Sequence, residues 1–418
     1  MQAHLTPIQR TLLQLLRRPD ESRTLPTPVD LTAAEWEAFL VEAGQQDVIP
    51  LLYYRLQSRP EGTAAIPAPI LERFQNAFLK NTAYISLLYR ELQQILSACD
   101  QEGIPVILLK GAYLAKQVYP EIGLRPMGDM DLMVQPQDLP RAGAITGRLG
   151  YTPPSPHRTD VEMAFSHQMP MYRKGNVFGI EWHWHIADPG NPYDFKPDEL
   201  WERAIPMQIA GVPCFGLAPE DLFLHLAFHL AGHHICTVPL RALADIDMLL
   251  GTASQRLDWR VIIDRARRWR LERCVYLTLR LAAECFGTPL PDGVLTALVP
   301  ERVGDDVMGW AYEQLFTAPV TRTQRMPSRL VHVWNQQSLV ERLRMVWKRV
   351  FLPPRALGRE FGVHPDSPAL WRYYPLRFWI LIRRYGRQVL RLWWKDPAQR
   401  AVLERHSNRN ALERWLGG

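Results

Sequence analysis

The chain has 418 residues, 47% of them hydrophobic, which is enough for two or three domains with substantial cores. Its formal net charge of +6 and pI near 9.1 favour an anionic ligand or surface without indicating nucleic acid in particular. Five scattered cysteines without a CxxC pair argue against a disulfide framework or a zinc knuckle. No signal peptide is recognisable, and no apolar run reaches the roughly 20 residues that span a bilayer. These features predict a soluble, cytoplasmic protein.

Residues 1–100 show helical periodicity. The segment "LTAAEWEAFLVEAGQQDVIPLLYYRLQ" begins with Thr32 as the predicted N-cap and then repeats apolar residues at three and four. A loop is predicted over 58–69, followed by a helix from about Ile70 to Cys99. We therefore predict an N-terminal helical region, 1–100.

The pattern then changes to mixed strand and helix. Strands are predicted in "IPVILLK", "DMDLMV", "HQMPMYR" and "NVFGIEWHWHI", with helices in "AYLAKQVY" and "DLPRAGAITGRLGY" between the earlier ones. From Pro219 the helical period returns. The predicted fold is α+β, a small mixed-sheet palm at 101–215 embedded in a mostly helical chain, with a C-terminal helical domain at 216–418.

Two aspartates stand one residue apart in "GLRPMGDMDLMV" (123–134). Because side chains alternate between the two faces of a strand, Asp129 and Asp131 share one face while Met130 and Leu132 share the other. Two buried like charges repel, and a divalent cation removes that cost, since aspartate oxygens are ligands that Mg²⁺ accepts. The pair predicts a metal site. The alternative is a turn cap or a solvated strand end.

A third carboxylate, Glu181, lies in "FGIEWHWHI" among large apolar residues. Alternation places it on a face with His183 and His185. Together with Asp129 and Asp131 it would complete a site for two Mg²⁺ ions, with Mn²⁺ as the alternative ion, that clamp a phosphoryl group during in-line displacement. A strand acid that faces water is the other interpretation of Glu181.

The stretch "LLKGAYLA" supplies a strand, a glycine and a helix N-terminus, which together suit a polyphosphate. Gly111 would let the backbone approach the phosphates. Lys110 and Arg125 are the predicted phosphate partners, although Lys110 can equally be an ordinary lysine at a strand end. The predicted nucleotide-binding set also includes Ala112 and Gly128.

Histidines mark a candidate acceptor pocket. His183 and His185 could hold the acceptor or act as a base, or form the polar face of a half-exposed strand. In "HLAFHLAGHH", His225, His229 and His233 recur at i, i+4 and i+8 on one helix face. A zinc site there is disfavoured relative to a core or cleft-lining row, and His229 is included in the pocket with His183 and His185.

Residues 371–395 contain six arginines and a lysine but no acid, interspersed with tryptophan and phenylalanine. Such a stretch could bind a membrane surface, nucleic acid or an acidic partner. We expect instead a helix that packs its aromatic residues inward and solvates its arginines. Peripheral membrane contact and nucleic-acid binding are not favoured.

The segment "GIPVILLKGAYLAKQVYPEIGLRPMGDMDLMVQPQDLPRAGAITGRLGY" resembles the core of the nucleotidyltransferase superfamily that includes DNA polymerase β and the minimal nucleotidyltransferases. More closely, it resembles the bacterial "uncharacterised nucleotidyltransferase" family, in the LKG segment, the tyrosine–proline, the arginine before the DxD and the closing glycine–tyrosine. With "IEWHWHI" and "DLFLHLAFHL", the resemblance covers roughly residues 30–400.

The resemblance implies that Gly111 is the phosphate-loop glycine and that Asp129, Asp131 and Glu181 are the metal-binding and catalytic acids. The superfamily usually follows this glycine with Gly or Ser, whereas this chain has Ala112. The gap between Gly111 and Asp129 is also longer than in most members.

These observations predict a Mg²⁺-dependent nucleotidyltransferase that moves an NMP from an NTP to an unidentified hydroxyl or phosphate acceptor and releases pyrophosphate. The acceptor would be a small molecule or a protein. The alternative is a non-catalytic nucleotide- or partner-binding protein on the same fold, accessory to a biosynthetic pathway.

Overall fold

Two compact units divide the chain, one comprising 1–316 with 415–418 and the other 317–414. The predicted partition at 100 and 215 stays a prediction. The computed structural model describes residues 5–18, 31–58, 66–152, 167–173, 178–188, 190–253, 257–300, 303–304, 306–316, 352, 357, 367–380, 383 and 397–418.

Four helices form the N-terminal region. They are α1 (Pro7–Leu16), α2 (Ala33–Gln45), α3 (Ile49–Gln57) and α4 (Ala68–Gln101). Thr32 caps α2 in a reciprocal capping box with Glu35, as the sequence predicts for its N-terminus. The helical segment that follows Thr32 divides into α2 and α3, and Asp47 between them adopts a left-handed backbone with φ of 55°.

One seven-stranded mixed sheet forms the palm, in the order β3-β4-β5-β2-β1-β7-β6. Neighbouring strands are antiparallel except in the β1–β7 and β2–β5 pairs, which are parallel. The four predicted strands are present, and β3, β6 and β7 add to them. The strands are β1 (Ile107–Leu108), β2 (Asp129–Met133), β3 (Tyr151–Thr152), β4 (Gln168–Arg173), β5 (Gly179–His183), β6 (Ile205–Ile209) and β7 (Val212–Gly216).

Helices connect and flank these strands. Within the palm they are α5 (Lys110–Gln117), α6 (Leu139–Arg148) and α7 (Pro197–Glu202), with short 3₁₀ turns at Ile122–Leu124 and Pro136–Asp138. After the sheet come α8 (Pro219–Ala227), a π-helix (Phe228–His233), α9 (Arg241–Ala253), α10 (Trp259–Arg268), α11 (Glu272–Phe286), α12 (Val294–Leu298) and α13 (Val307–Leu315). The predicted α+β palm within a mostly helical chain is confirmed.

The C-terminal part contains a 3₁₀ helix (Pro368–Arg372), a helix over 373–380 and α14 (Pro397–Gly417). Of the arginine- and tryptophan-rich segment 371–395, only 371–380 and 383 are described. The predicted features at Arg384, Arg387, Arg391, Trp393, Trp394 and Lys395 lie outside the described residues. Within the described ranges, every helix is too short or too polar to cross a bilayer.

The core of the palm lies on one face of the sheet, packed against α4 and α6. Met130 and Leu132 of β2 and Ile180 and Trp182 of β5 are almost fully buried in one apolar cluster with Leu88 of α4. These residues alternate with the carboxylates along both strands, as the period of two requires. Core packing therefore fixes the opposite face, which carries the acids.

We predict that Leu88→Ala lowers the free energy of unfolding by about 2–5 kcal/mol, because it opens a cavity in this cluster. Leu87, the preceding residue of α4, is 51% exposed, whereas Leu88 is fully buried. Leu87→Ala should therefore change stability by no more than about 0.5 kcal/mol. Urea denaturation of the two variants measures both effects, and similar midpoints would contradict the assigned face of α4.

Candidate functional site

The site is built on the parallel pairing of β2 with β5. In this register Asp129 is the partner of Gly179, Asp131 of Glu181 and Met133 of His183. Asp131 and Glu181 therefore lie side by side although 50 residues separate them along the chain. The two aspartates and Glu181 all line one cavity of about 300 Å³, which is at the lower end of the range for small-molecule pockets.

Two groups from different elements contact the same oxygen of Asp131. Lys110 Nζ lies 2.7 Å from Asp131 Oδ1, and His183 Nε2 lies 2.9 Å from it. Burial opposes ionisation of this carboxyl, yet Lys110 and His183 hold the pKa of Asp131 well below its usual range. Asp131 is therefore a carboxylate at neutral pH, and Lys110 serves as its cation.

The other two acids lack such support. Burial, reinforced by the charges of Asp131 and Asp129, raises the pKa of Glu181 to about 7. Burial and the neighbouring Asp131 also raise the pKa of Asp129. The repulsion expected from the sequence is thus present in the fold, although Lys110, Arg241 and Arg125 reduce its effect on Asp129. Another cation bound here would stabilise the ionised forms of Glu181 and Asp129.

A metal-compatible group forms within this cluster. Asp131, Glu181 and His183 each offer a ligand atom, and these atoms lie within 4.8 Å of one another. Two carboxylates and an imidazole suit a first-row divalent cation. Asp129 lies on the same face of β2 but outside that group of three, so a second ion there stays a prediction.

His183 belongs to the carboxylate cluster, whereas the sequence suggested an acceptor-binding role for it. Burial lowers the pKa of His183 to about 4, so the ring is neutral at pH 7. Beside a carboxylate, the neutral ring donates its Nε2 hydrogen to Asp131. Its Nδ1 is buried and has no hydrogen-bond partner among the described residues. Alternation along β5, which places His183 on the face of Glu181, was the sequence signal for this placement.

His185 does not line the cavity. β5 ends at His183, so the alternation assumed in the sequence stops before His185. Its Nδ1 accepts a hydrogen bond from the Ala187 N–H at 3.0 Å, and its ring stands edge-on to Phe195. The expectation that His185 belongs to the acceptor pocket is therefore corrected.

Gly111 has a different structural role from the one expected. A Cβ at this position would lie 2.5 Å from Arg125 Nη1 and 2.9 Å from Met127 Sδ. Glycine is therefore needed here because the side chains of Arg125 and Met127 occupy the space that a Cβ would fill. Gly111 still borders the cavity, together with Lys110, whose backbone is left-handed with φ of 38°.

The remaining predicted nucleotide-binding residues divide between core and surface. Ala112 is fully buried in the apolar cluster, and its carbonyl accepts a hydrogen bond from the Tyr89 hydroxyl at 2.8 Å. Its side chain faces the core rather than the cavity, and its place in the nucleotide-binding set stays a prediction. A Cβ on Gly128 would meet no atom within 4 Å, so packing does not explain this glycine.

Arg125 lines the cavity, but its charge is already paired. Its Nε and Nη2 each lie 2.8 Å from an oxygen of Asp245, and the Tyr119 hydroxyl donates to the same carboxylate at 2.8 Å. Arg125 and Asp245 are both about 3% exposed. Because two of its nitrogens donate to Asp245, Arg125 has fewer N–H donors for a leaving pyrophosphate than the sequence suggested.

Arg241 is a cavity-lining cation that sequence reasoning did not select. It lies at the start of α9, 3.9 Å from Asp245 and 3.5 Å from Asp47, and its side chain is 24% exposed. These contacts are long for ion pairs, so its guanidinium is less engaged than that of Arg125. The only sequence signal was its i,i+4 spacing from Asp245 on a predicted helix.

Histidines form another part of the cavity lining, which we call the histidine wall. The rings of His229 and His233 stack with centroids 6.1 Å apart, and His234 contacts both. The predicted cleft-lining row is therefore present, but the chain is π-helical over Phe228–His233, so the spacing is not that of an α-helix. Burial holds the pKa of His225 and His229 well below the usual range, which keeps these rings neutral. His225 Nδ1 has no hydrogen-bond partner within the described part of the chain.

Comparison with known proteins identifies the family. The family described as "Uncharacterised nucleotidyltransferase" matches residues 32–287, more than half of the chain, and the chain belongs to this family. No curated protein matches it.

Two solved structures resemble part of the chain. The solution structure of the antibiotic-resistance factor ANT(2'')-Ia has 14% identity and a TM-score of 0.31, covering 48% of this chain and 98% of that chain. The crystal structure of ANT(2'')-Ia in complex with adenylyl-2''-tobramycin has 14% identity and a TM-score of 0.30, covering 44% and 97%. These values are too low to bear on the activity of this chain.

We predict that Asp245→Asn lowers the free energy of unfolding by about 3–5 kcal/mol, because it leaves the buried Arg125 charge without its counterion. Glu37→Gln serves as the matched control, since Glu37 pairs with Arg73 at 2.6 Å on the surface. Chemical denaturation should show a large loss for the first variant and little change for the second. Equal effects would refute a structural role for the Arg125–Asp245 pair.

Proposed function

We propose that this protein transfers an NMP from a nucleoside triphosphate to a hydroxyl or phosphate acceptor with the help of a divalent cation. The family assignment supports a nucleotidyltransferase. The observation that carries the proposal is the convergence of Asp129, Asp131 and Glu181 on one cavity, where Lys110 is paired with Asp131 and burial raises the pKa of Glu181 and Asp129. An acidic cluster of this kind has the ligands and the charge deficit that a metal–triphosphate complex would satisfy.

Asp131, Glu181 and His183 would hold one cation, and Asp129 is the remaining carboxylate for a second. Bound cations supply charge neutralisation to the phosphate oxygens and align the reacting groups. The carboxylates suit both Mg²⁺ and Mn²⁺, and the imidazole of His183 is a ligand that first-row transition metals accept more readily than Mg²⁺ does. We therefore expect activity with Mn²⁺ as well as Mg²⁺.

In the proposed reaction, an acceptor oxygen attacks the α-phosphorus and forms a new P–O bond. The bond from the α-phosphorus to the bridging α–β oxygen breaks, and pyrophosphate leaves with that electron pair while the acceptor proton passes to solvent or to a base. We assign Arg241 as the main phosphate partner, because its contacts with acids are long, whereas Arg125 is paired with Asp245 and Lys110 with Asp131. The neutral histidine wall would face the acceptor.

A second candidate function is nucleotide binding without turnover. It is favoured by the arrangement above Gly111, where Arg125 and Met127 fill the space expected for phosphates. Calorimetry with each NTP and Mn²⁺, combined with a pyrophosphate-release assay across hydroxyl and phosphate acceptors, separates the two functions. Binding without release across that screen would support the second function.

We predict that Asp129→Asn reduces the rate of pyrophosphate release by about a thousandfold or more. The substitution removes a carboxylate that would bind a cation, and that cation would neutralise charge on the phosphate oxygens in the transition state. Thermal stability should change little, since the substitution also relieves repulsion from Asp131. Asp138→Asn is the control, because Asp138 pairs with Arg141 outside the cavity and has no assigned chemistry. Full activity of Asp129→Asn would exclude the proposed catalytic role.

We predict that Mn²⁺ bound to the wild-type protein shows ¹⁴N coupling in electron spin-echo envelope modulation. The coupling should disappear in His183→Gln and persist in His185→Gln, because only His183 belongs to the carboxylate cluster. This measurement reports on coordination and does not require an acceptor. A wild-type spectrum without nitrogen coupling would place His183 outside the coordination sphere.

A further inference from the structure

The second unit exposes a group of large apolar side chains, contrary to the expectation that this segment packs its aromatic residues inward. We call these residues the aromatic patch. It comprises Trp371, Leu376, Phe378, Trp379 and Ile380, which are 75%, 44%, 51%, 54% and 38% exposed. Exposing so many large apolar groups within ten residues costs free energy unless another surface covers them.

The patch is also cationic. Arg372 and Arg383 are exposed beside it, and the Arg383 guanidinium lies 5.1 Å from the Trp379 ring centroid. The sequence from 367 to 395 has seven basic residues and no aspartate or glutamate. The exposed Arg372 and Arg383 beside the patch favour a covering surface that is negatively charged as well as apolar.

Local contacts hold the patch in a defined conformation. The Tyr374 hydroxyl donates to the Leu352 carbonyl at 2.7 Å, and the Tyr374 and Trp371 rings lie 5.5 Å apart. On the helix over 373–380, Leu376, Trp379 and Ile380 follow the spacing i, i+3 and i+4, so they share one face. This is an apolar stripe with arginines at its edges.

We propose that the aromatic patch docks on an anionic membrane surface. A bilayer interface offers acyl chains and anionic headgroups within one thin layer, which matches apolar side chains flanked by arginines. Tryptophan favours this interface because its ring is apolar and its N–H is polar. Nucleic acid would leave Leu376 and Ile380 without a partner, since aliphatic side chains do not stack on bases. No described helix can cross a bilayer, so the contact is peripheral.

Vesicle co-sedimentation of the full-length protein tests this proposal. Vesicles of phosphatidylcholine with about 30% phosphatidylserine should pellet the protein, and vesicles of phosphatidylcholine alone should pellet much less. Raising the salt from about 0.1 M to about 0.5 M should release it, because the Debye length shortens. The variants Leu376→Ser/Trp379→Ser and Arg372→Gln/Arg383→Gln should each weaken the partition by about tenfold.

The control is Leu79→Ser/Leu87→Ser, which removes two side chains of comparable exposure from α4. This control should pellet like the wild type, and circular dichroism checks the fold of every variant. If the wild-type protein failed to bind anionic vesicles, or bound both vesicle types equally, the proposal would be overturned.

A lipid-free dimer abolished by Leu376→Ser/Trp379→Ser would assign the patch to a second copy instead. Salt-sensitive RNA binding lost in the same variant would assign it to nucleic acid.

Discussion

The parallel register between β2 and β5 is the constraint on which the site depends. With Asp131 opposite Glu181, the carboxylates share one face while Met130, Leu132, Ile180 and Trp182 share the other. A slip of one residue would exchange the faces of the slipped strand and turn its carboxylates into the apolar core. The hydrophobic core therefore enforces the register, and the register brings the charges together. Stability on one side of the sheet is what makes the repulsion on the other side tolerable.

That repulsion determines how the cations of the site are used. Lys110 and His183 both contact Asp131 and leave Glu181 and Asp129 with raised pKa values. Arg125, the cation that the sequence makes most prominent, is instead paired within the protein to Asp245. The cavity consequently combines an acidic cluster with few phosphate partners that are not already paired with an acid. A divalent cation bound together with a triphosphate would neutralise the acids and would also bind the phosphate oxygens.

Sequence reasoning succeeded where the evidence was local and periodic. Alternation placed the carboxylates of β2 and β5 on common faces, and the Thr32 capping box marked the start of α2. It failed where distant residues meet. Gly111 is required by Arg125 and Met127, which return from beyond the following helix, and Arg125 finds its partner 120 residues later at Asp245. His185 was misplaced because periodicity alone does not show where β5 ends.

Three of the six described non-glycine residues with positive φ lie in or next to the segments that line the cavity. Lys110, on the acidic wall, has φ of 38°, and Ile235 and Cys236, just after the histidine wall, have φ of 51° and 58°. A left-handed backbone is unfavourable for a lysine and more so for a β-branched isoleucine, and a π-helix is rarer still. Such conformations persist only where the surrounding structure imposes them, and they cluster at functional sites. Here the left-handed backbone at Lys110 accompanies its contact with Asp131, and the left-handed residues Ile235 and Cys236 turn the chain directly after the histidines.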